Sequence, residues 1–160
     1  MNLLQNFPER LDQFIKTANK NQLKMILVGG GAVNFHGYQR HSADIDFWID
    51  LTETNLAKLL LTLREMGFEI PELPAEVKSG NQNISIKVSP VLELELITNF
   101  NPGKSFNEAF IESIQVEKDD MIYNVLNFND LVMSKISTDR LKDKLDVEEL
   151  QRIKLNRRAD

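Results

Sequence analysis

The segment that most constrains the fold is ADIDFWID, residues 43–50, because polar and apolar side chains alternate along most of it. Such alternation is typical of a β-strand that buries one face. Its isoleucines and phenylalanine would face the core. The other face would carry a tryptophan and three acids, which are Trp48, Asp44, Asp46 and Asp50. A strand that needed only stability would gain nothing from these acids, so they require another explanation.

Paired carboxylates on one strand face are suited to binding divalent cations. Asp44 and Asp46 would repel each other, and one pKa would rise, unless a cation lay between them. Mg²⁺ prefers oxygen ligands, and two ions about 3.5–4 Å apart can hold both the attacking and the leaving oxygen of a phosphoryl transfer. A strand at 91–98 offers Glu93 and Glu95 as further ligands. The simpler alternative is an exposed acidic face with no bound metal.

A glycine-rich turn precedes the acidic strand. The short apolar run at 23–28 predicts a buried strand, and Gly29, Gly30 and Gly31 follow it directly. A short helix is expected from Ala32 to about residue 37. Backbone N–H groups are accessible at a turn from a strand into a helix, and a phosphate can approach them closely. The alternative is a tight turn without a ligand.

The rest of the chain predicts strands mixed with helices. Pro8 would begin a helix at 8–19, Thr52 would cap a helix that ends at Gly67, and 70–83 would be a loop. Strands are expected at 84–89 and 91–98, a hairpin around Asp119 and Asp120, and helices after Asn129 and from Asp143. The fold class is α/β or α+β with a mixed sheet. We expect one domain over residues 1–160, with an N-terminal helix (1–22), a sheet core (23–128) and C-terminal helices (129–160).

Composition narrows the function classes. The chain has 160 residues, two histidines and no cysteine, which excludes disulfides and thiolate metal sites and disfavours zinc. No apolar run is long enough for a membrane span and no signal-peptide pattern is present, so a cytoplasmic location without membrane association is expected. The net charge of −5 argues against a protein that coats nucleic acid by bulk positive charge. A basic patch in the C-terminal third is interpreted as a solvated helix face with acidic neighbours.

The stretch GGGAVNFHGYQRHSADIDF resembles the first motif of the nucleotidyltransferases of the DNA polymerase β superfamily. It is most similar to the small bacterial enzymes of toxin–antitoxin and abortive-infection systems. The family pattern is Gly-Gly-Ser/Thr-Ala, a spacer, and then Arg-x-Ser/Thr-x-Asp-x-Asp. The positions that match it are Gly29, Gly30, Ala32, Arg40, Ser42, Asp44 and Asp46.

Later parts of the chain match the family more loosely. Glu95, in LELIT, stands where the family has its third metal carboxylate. Lys135 matches a helical lysine. A downstream basic and acidic run is matched by Lys142, Asp143 and Asp146.

The resemblance implies a small mixed sheet flanked by helices and transfer of a nucleoside monophosphate from a nucleoside triphosphate (NTP). Asp44, Asp46 and Glu95 would be catalytic and would bind two Mg²⁺ ions, or Mn²⁺ in their place. The nucleotide would be bound by Gly29, Gly30, Gly31, Arg40, Ser42, Lys135 and Asp143. The acceptor would be an RNA or protein hydroxyl, and a toxin role with an antitoxin protein as partner is implied. The oligomeric state is left open.

Two departures from the family pattern leave an alternative open. Gly31 stands where the family has Ser or Thr, and Glu95 stands where Asp is usual. A catalytically degenerate protein of the same fold, which binds a nucleotide or a partner without turnover, is therefore the second interpretation.

Overall fold

The computed structural model describes residues 9–39, 44–136, 138 and 140–159. Seven helices and six strands lie in these ranges. In chain order they are α1 (Glu9–Lys20), β1 (Met25–Val28), α2 (Gly29–Phe35), β2 (Asp44–Ile49), α3 (Glu53–Glu65), α4 (Ala75–Lys78), β3 (Ile84–Lys87), β4 (Glu93–Ile97), α5 (Phe106–Ile111), β5 (Ile114–Lys118), β6 (Met121–Val125), α6 (Phe128–Ile136) and α7 (Leu141–Ala159).

The six strands form one mixed sheet in the order β3-β4-β2-β1-β6-β5. Strand β2 runs parallel to β4, and β1 runs parallel to β6. The remaining neighbours are antiparallel. The acidic strand β2 is therefore an interior strand, and the prediction of a mixed sheet with helices is confirmed.

The core lies between the sheet and its helices. Helix α1 packs against β6 and α3 and buries Leu11, Phe14 and Ile15 completely. The ring of Phe14 lies 6.2 Å from that of Phe47, which confirms that the apolar face of β2 faces the core. Helix α2 packs against β1 and β2, and α6 packs against α7.

One predicted helix cap and one predicted turn are present. The Thr52 hydroxyl accepts a hydrogen bond from Asn55 N and caps α3. Asp119 and Asp120 connect β5 to β6, and both have positive φ values, 50° and 65°. Two successive positive φ values are characteristic of the tight hairpin turn whose backbone twist matches that of its strands.

The structure corrects four local predictions. Helix α2 begins at Gly29 instead of Ala32, and the expected loop at 70–83 contains α4. Helix α6 is capped by Asn127, whose Oδ1 accepts from Asp130 N at 2.8 Å, and not by Asn129. The last helix begins at Leu141 instead of Asp143. Helices of four and seven residues contain too few turns to show a hydrophobic period, which is why the sequence misplaced them.

Among the residues that the structure describes, no helix is both long enough and apolar enough to cross a bilayer.

Candidate active site

The pairing of β2 with β4 places the acids side by side. Asp46 lies directly beside Glu95 in the parallel register, and Asp44 lies beside Glu93. In-register residues of neighbouring strands project from the same face. Because the alternate residues of β4, Leu94 and Leu96, are completely buried, its glutamates lie on the opposite, acidic face. The three carboxylates at 44, 46 and 95 therefore share one face of the sheet.

Asp46 carries a negative charge that its surroundings do not compensate. Burial, and then the charges of Glu95 and Asp44, raise the pKa of Asp46 to about 6, although Lys142 and Lys135 partly oppose this. Its Oδ1 atom is buried and has no hydrogen-bond partner in the described part of the chain. Such an atom is what a bound cation would satisfy.

Gly29 is required by its contact with Asp46. Val28 pairs with Asp46 across the antiparallel strands, which places the next residue, Gly29, against the carboxylate. Gly29 has a φ of +60°, and a Cβ atom at this position would collide with Asp46 Oδ2. Both the backbone conformation and the lack of space therefore select glycine.

The other two glycines have different surroundings. Gly30 and Gly31 are buried in the first turn of α2, and a Cβ at Gly31 would lie 2.9 Å from Leu27 Cδ1. Of the three glycines predicted to bind nucleotide, only Gly29 lines the cleft beside the acids.

That cleft has a volume of about 370 Å³ and three walls. The sheet contributes Gly29 and Asp46. The junction between α6 and α7 contributes a polar wall, lined by Ser134, Lys135, Thr138, Arg140 and Asp143. The end of β4, together with the segments before β3 and after β4, contributes the third wall, which is lined by Asn83, Ile97, Asn99, Phe100 and Asn101. Two larger grooves, of about 560 and 450 Å³, are lined by residues away from the acids, so the smaller cleft is the candidate active site.

Lys135 lines the cleft, but its ammonium is already paired with two carboxylates. Its ammonium lies 2.8 Å from Asp146 Oδ2 and 3.2 Å from Asp143 Oδ1. The lysine side chain is 7% exposed and each carboxylate is 1% exposed. This buried group joins α6 to α7, so the position expected to contact phosphate is also a structural connection.

Asp143 holds together the residues at the start of α7. Burial alone would raise its pKa, but hydrogen bonds from Thr138 and Arg140 and the charge of Lys135 outweigh burial and lower the pKa to about 2. Arg140 donates from Nε to Asp143 Oδ2 at 2.8 Å and from Nη2 to Oδ1 at 3.2 Å. Its side chain remains 70% exposed, so Arg140 is an accessible cation at the cleft.

The sequence-based prediction missed Arg140 and Asn83. Arg140 belongs to the basic patch that is interpreted as a solvated face, although its spacing of three residues from Asp143 is a signal for a local ion pair. Asn83 donates from Nδ2 to Glu95 Oε1 at 3.3 Å. It lies in a loop where no periodic pattern indicates a role.

Two predicted nucleotide-binding residues, Arg40 and Ser42, lie outside the described residues. As the described side chains are placed, no group of three or more His, Cys, Asp or Glu residues could hold a metal ion. The acids share a face of the sheet without forming such a group. The predicted metal ligands therefore stay a prediction.

Comparison with known proteins gives a family for this geometry. The model of a family described as "nucleotidyltransferase of unknown function (DUF6036)" matches residues 5–156. Among solved structures, a lincomycin-bound crystal structure of the lincosamide antibiotic adenylyltransferase LnuA aligns with a TM-score of 0.57 and 16% identity, covering 92% of this chain and 98% of that one. At this identity the likeness concerns the fold alone. A search of curated proteins gives no significant match. Because the family model spans nearly the whole chain, from the segment before α1 into α7, the chain belongs to this family of nucleotidyltransferases.

Proposed function

We propose that this protein catalyses metal-dependent transfer of a nucleoside monophosphate from an NTP to the hydroxyl of an acceptor. The observation that supports this most directly is the register that places Asp46 beside Glu95, with Asp44 on the same face. The cleft next to Asp46 also contains the turn at Gly29 and the cation Arg140. Acids, an accessible backbone turn and a cation are the parts that phosphoryl transfer needs.

The uncompensated charge of Asp46 fits a divalent cation. Asp44, Asp46 and Glu95 would be the ligands of two Mg²⁺ ions, or of Mn²⁺ in their place. Bound metal would neutralise charge on the phosphates and favour ionisation of the acceptor hydroxyl. A glutamate reaches farther than an aspartate, so Glu95 can extend toward the cleft from its position on β4.

The other residues of the chain would bind and orient the NTP. The backbone N–H group of Gly29 would donate a hydrogen bond to its phosphates. The resemblance implies the same role for the N–H groups of Gly30 and Gly31, and phosphate contacts from Arg40 and Ser42. Arg140 would hold the pyrophosphate, and Lys135 with Asp143 would fix the helix junction that carries it. The acceptor oxygen forms a bond to the α-phosphorus, the bond from that phosphorus to the bridging oxygen breaks, and pyrophosphate leaves. Glu95 would accept the hydroxyl proton.

The identity of the acceptor is a separate question. An RNA or protein hydroxyl, and a toxin role with an antitoxin partner, stay predictions from the resemblance. The adenylyltransferase with the same fold acts, by its name, on a lincosamide. We therefore include small molecules among the acceptors to be tested.

The test is incubation of the purified protein with each α-labelled NTP, Mg²⁺ and cell fractions. Replacing both metal-ligand candidates, Asp44→Ala with Asp46→Ala, should abolish pyrophosphate release and leave the circular dichroism spectrum unchanged. Asp50→Ala, at the residue that follows the same strand, is the matched control and should remain active. Full activity in the double variant would refute the site.

Binding of an NTP without turnover is the second candidate. Engagement of Lys135 by two carboxylates supports it, as do the departures at Gly31 and Glu95. Metal-dependent NTP binding with no pyrophosphate release in any fraction would favour this candidate over catalysis.

A further inference from the structure

The third wall of the cleft differs in charge from the other two. It presents three carboxamide side chains, Asn83, Asn99 and Asn101, together with the ring of Phe100. Both cations that line the cleft, Lys135 and Arg140, are on the α6–α7 wall. Among the described residues that line the cleft, the third wall contributes no charged side chain.

The cation of the loop after β4 is paired with carboxylates on other elements. Lys104 lies 2.8 Å from Glu112 Oε2 and 2.9 Å from Asp130 Oδ1. These ion pairs raise its pKa and hold its ammonium towards α5 and α6. The described lining of this wall therefore offers no positive charge that could pair with an anionic acceptor.

The neutral wall is held in place by specific contacts. Asn83 Oδ1 accepts from Thr98 N at 3.0 Å while its Nδ2 donates to Glu95. Asn101 Oδ1 accepts from Gly103 N at 2.9 Å and fixes the turn after β4. A preorganised wall of this kind requires little ordering when a ligand binds.

The aromatic part of the wall is supported from behind. The ring of Phe100 lies 5.1 Å from that of Trp48, and Trp48 lies 5.0 Å from Phe106. Trp48 is buried, whereas Phe100 is half-buried. Phe100 therefore offers a fixed apolar surface next to amide groups that can both donate and accept hydrogen bonds.

We propose that Asn83, Asn99, Phe100 and Asn101 form the acceptor subsite, and that the acceptor is a small, uncharged, polyhydroxylated compound such as a glycoside. This inference rests on the proposed function. Amide groups pair with hydroxyls in either direction, and the aromatic face packs against the C–H face of a ring. The contact of Asn83 with Glu95 places this wall beside the group that would take the hydroxyl proton. A cleft of about 370 Å³ is of the size that binds small molecules.

An RNA acceptor fits this wall less well. Affinity for RNA depends on cations that contact phosphates, and the described lining of this wall has none. RNA, like protein, is therefore an alternative for the test to exclude.

The experiment locates the label and then changes the wall. Cell extract is separated into RNA, protein and a low-molecular-weight ultrafiltrate, and the ultrafiltrate is passed over an anion exchanger and then a cation exchanger. Each fraction is incubated with the protein, Mg²⁺ and the four α-labelled NTPs. We expect label in the part of the ultrafiltrate that neither exchanger retains. Label in RNA, in protein or in the retained ions would overturn the inference, as would the absence of label from every fraction.

Variants of the wall separate the acceptor from the nucleotide. Asn99→Ala changes an exposed side chain and Phe100→Leu keeps an apolar group against Trp48, so both should fold. Each should raise the KM for the labelled acceptor about tenfold, as expected for loss of a contact worth about 1.4 kcal/mol. Asn107→Ala, an exposed asparagine on α5 outside the cleft, is the control and should behave as wild type.

Calorimetry of metal-dependent NTP binding distinguishes the two ways in which the inference can fail. Unchanged NTP binding in Asn99→Ala and Phe100→Leu, together with the weaker acceptor, supports the subsite. A matching loss of NTP affinity would assign the wall to the nucleotide and overturn the inference, leaving the proposed function intact. No NTP binding by the wild-type protein would instead refute the proposed function.

Discussion

At the scale of single residues, the contact between Gly29 and Asp46 ties the first turn of α2 to the acidic strand. Gly29→Ala places a side chain at a φ of +60° and against the Asp46 carboxylate. Gly67→Ala is the comparison without a collision, since Gly67 also has a positive φ, +100°, and among the described residues no atom beyond its chain neighbours lies within 4 Å of the place that its Cβ would take. We expect Gly67→Ala to lower the free energy of unfolding by about 1 kcal/mol and Gly29→Ala by at least about 2 kcal/mol. Equal decreases in the free energy of unfolding of the two variants, measured by urea denaturation, would show that the Asp46 side chain moves away and relieves the collision.

The charge of Asp46 should lower stability at neutral pH. Its pKa is raised to about 6, so between its unfolded value and pH 6 the folded state binds the proton more tightly, and stability falls as pH rises. Asp46→Asn should therefore raise the free energy of unfolding by about 1–3 kcal/mol above pH 7 in the presence of a chelator. The gain should disappear near pH 4. A loss of stability at pH 7.5 would contradict the unfavourable burial of this carboxylate.

The sequence predicted part of this site for a clear physical reason. Alternation along a strand determines that Asp44 and Asp46 share a face, and the same rule applies to Glu93 and Glu95. Which strand lies next to β2 is decided by long-range pairing, so the adjacency of Asp46 and Glu95 could only be inferred from the family resemblance. Contacts between distant segments determine three further features: the ion pairs of Lys135, the exposure of Arg140 and the wall at Asn99–Asn101. No local pattern encodes them.

At the scale of elements, α6 and α7 are joined by the buried group of Lys135, Asp143 and Asp146. Lys135→Met would remove the ammonium that lies between the two buried carboxylates, and we expect it to lower the free energy of unfolding by about 3–5 kcal/mol. Arg152→Ala removes an exposed, solvent-screened ion pair with Glu149 and should leave the free energy of unfolding nearly unchanged. Similar small losses in both variants would mean that the buried group does not hold the helices together.

Element boundaries show where sequence patterns stop being informative. The strands and the long helices were predicted to within a few residues because their periods extend over several side chains. Helix α2 has seven residues and α4 has four, and the first turn of α2 consists of three glycines. Neither segment contains a full amphipathic repeat.

At the scale of the whole molecule, one hydrophobic cluster extends from α1 to α7. It includes Leu11 of α1, Phe47 of β2 and Leu150 of α7. Because the sheet and both terminal helices share this core, we expect the single domain predicted from the sequence to unfold in one cooperative transition. Trp48 fluorescence and far-ultraviolet circular dichroism should give the same urea midpoint. Two separate midpoints would show that the C-terminal helices unfold independently.

The central claim is that Asp44, Asp46 and Glu95 bind divalent cations together with an NTP. Titration calorimetry of the purified protein with each NTP, in Mg²⁺ and in chelator, tests it most directly. We predict binding in Mg²⁺ that weakens at least about tenfold in chelator and equally in the Asp44→Ala, Asp46→Ala double variant. NTP binding of the same strength in chelator, or in the double variant with Mg²⁺, would contradict the claim.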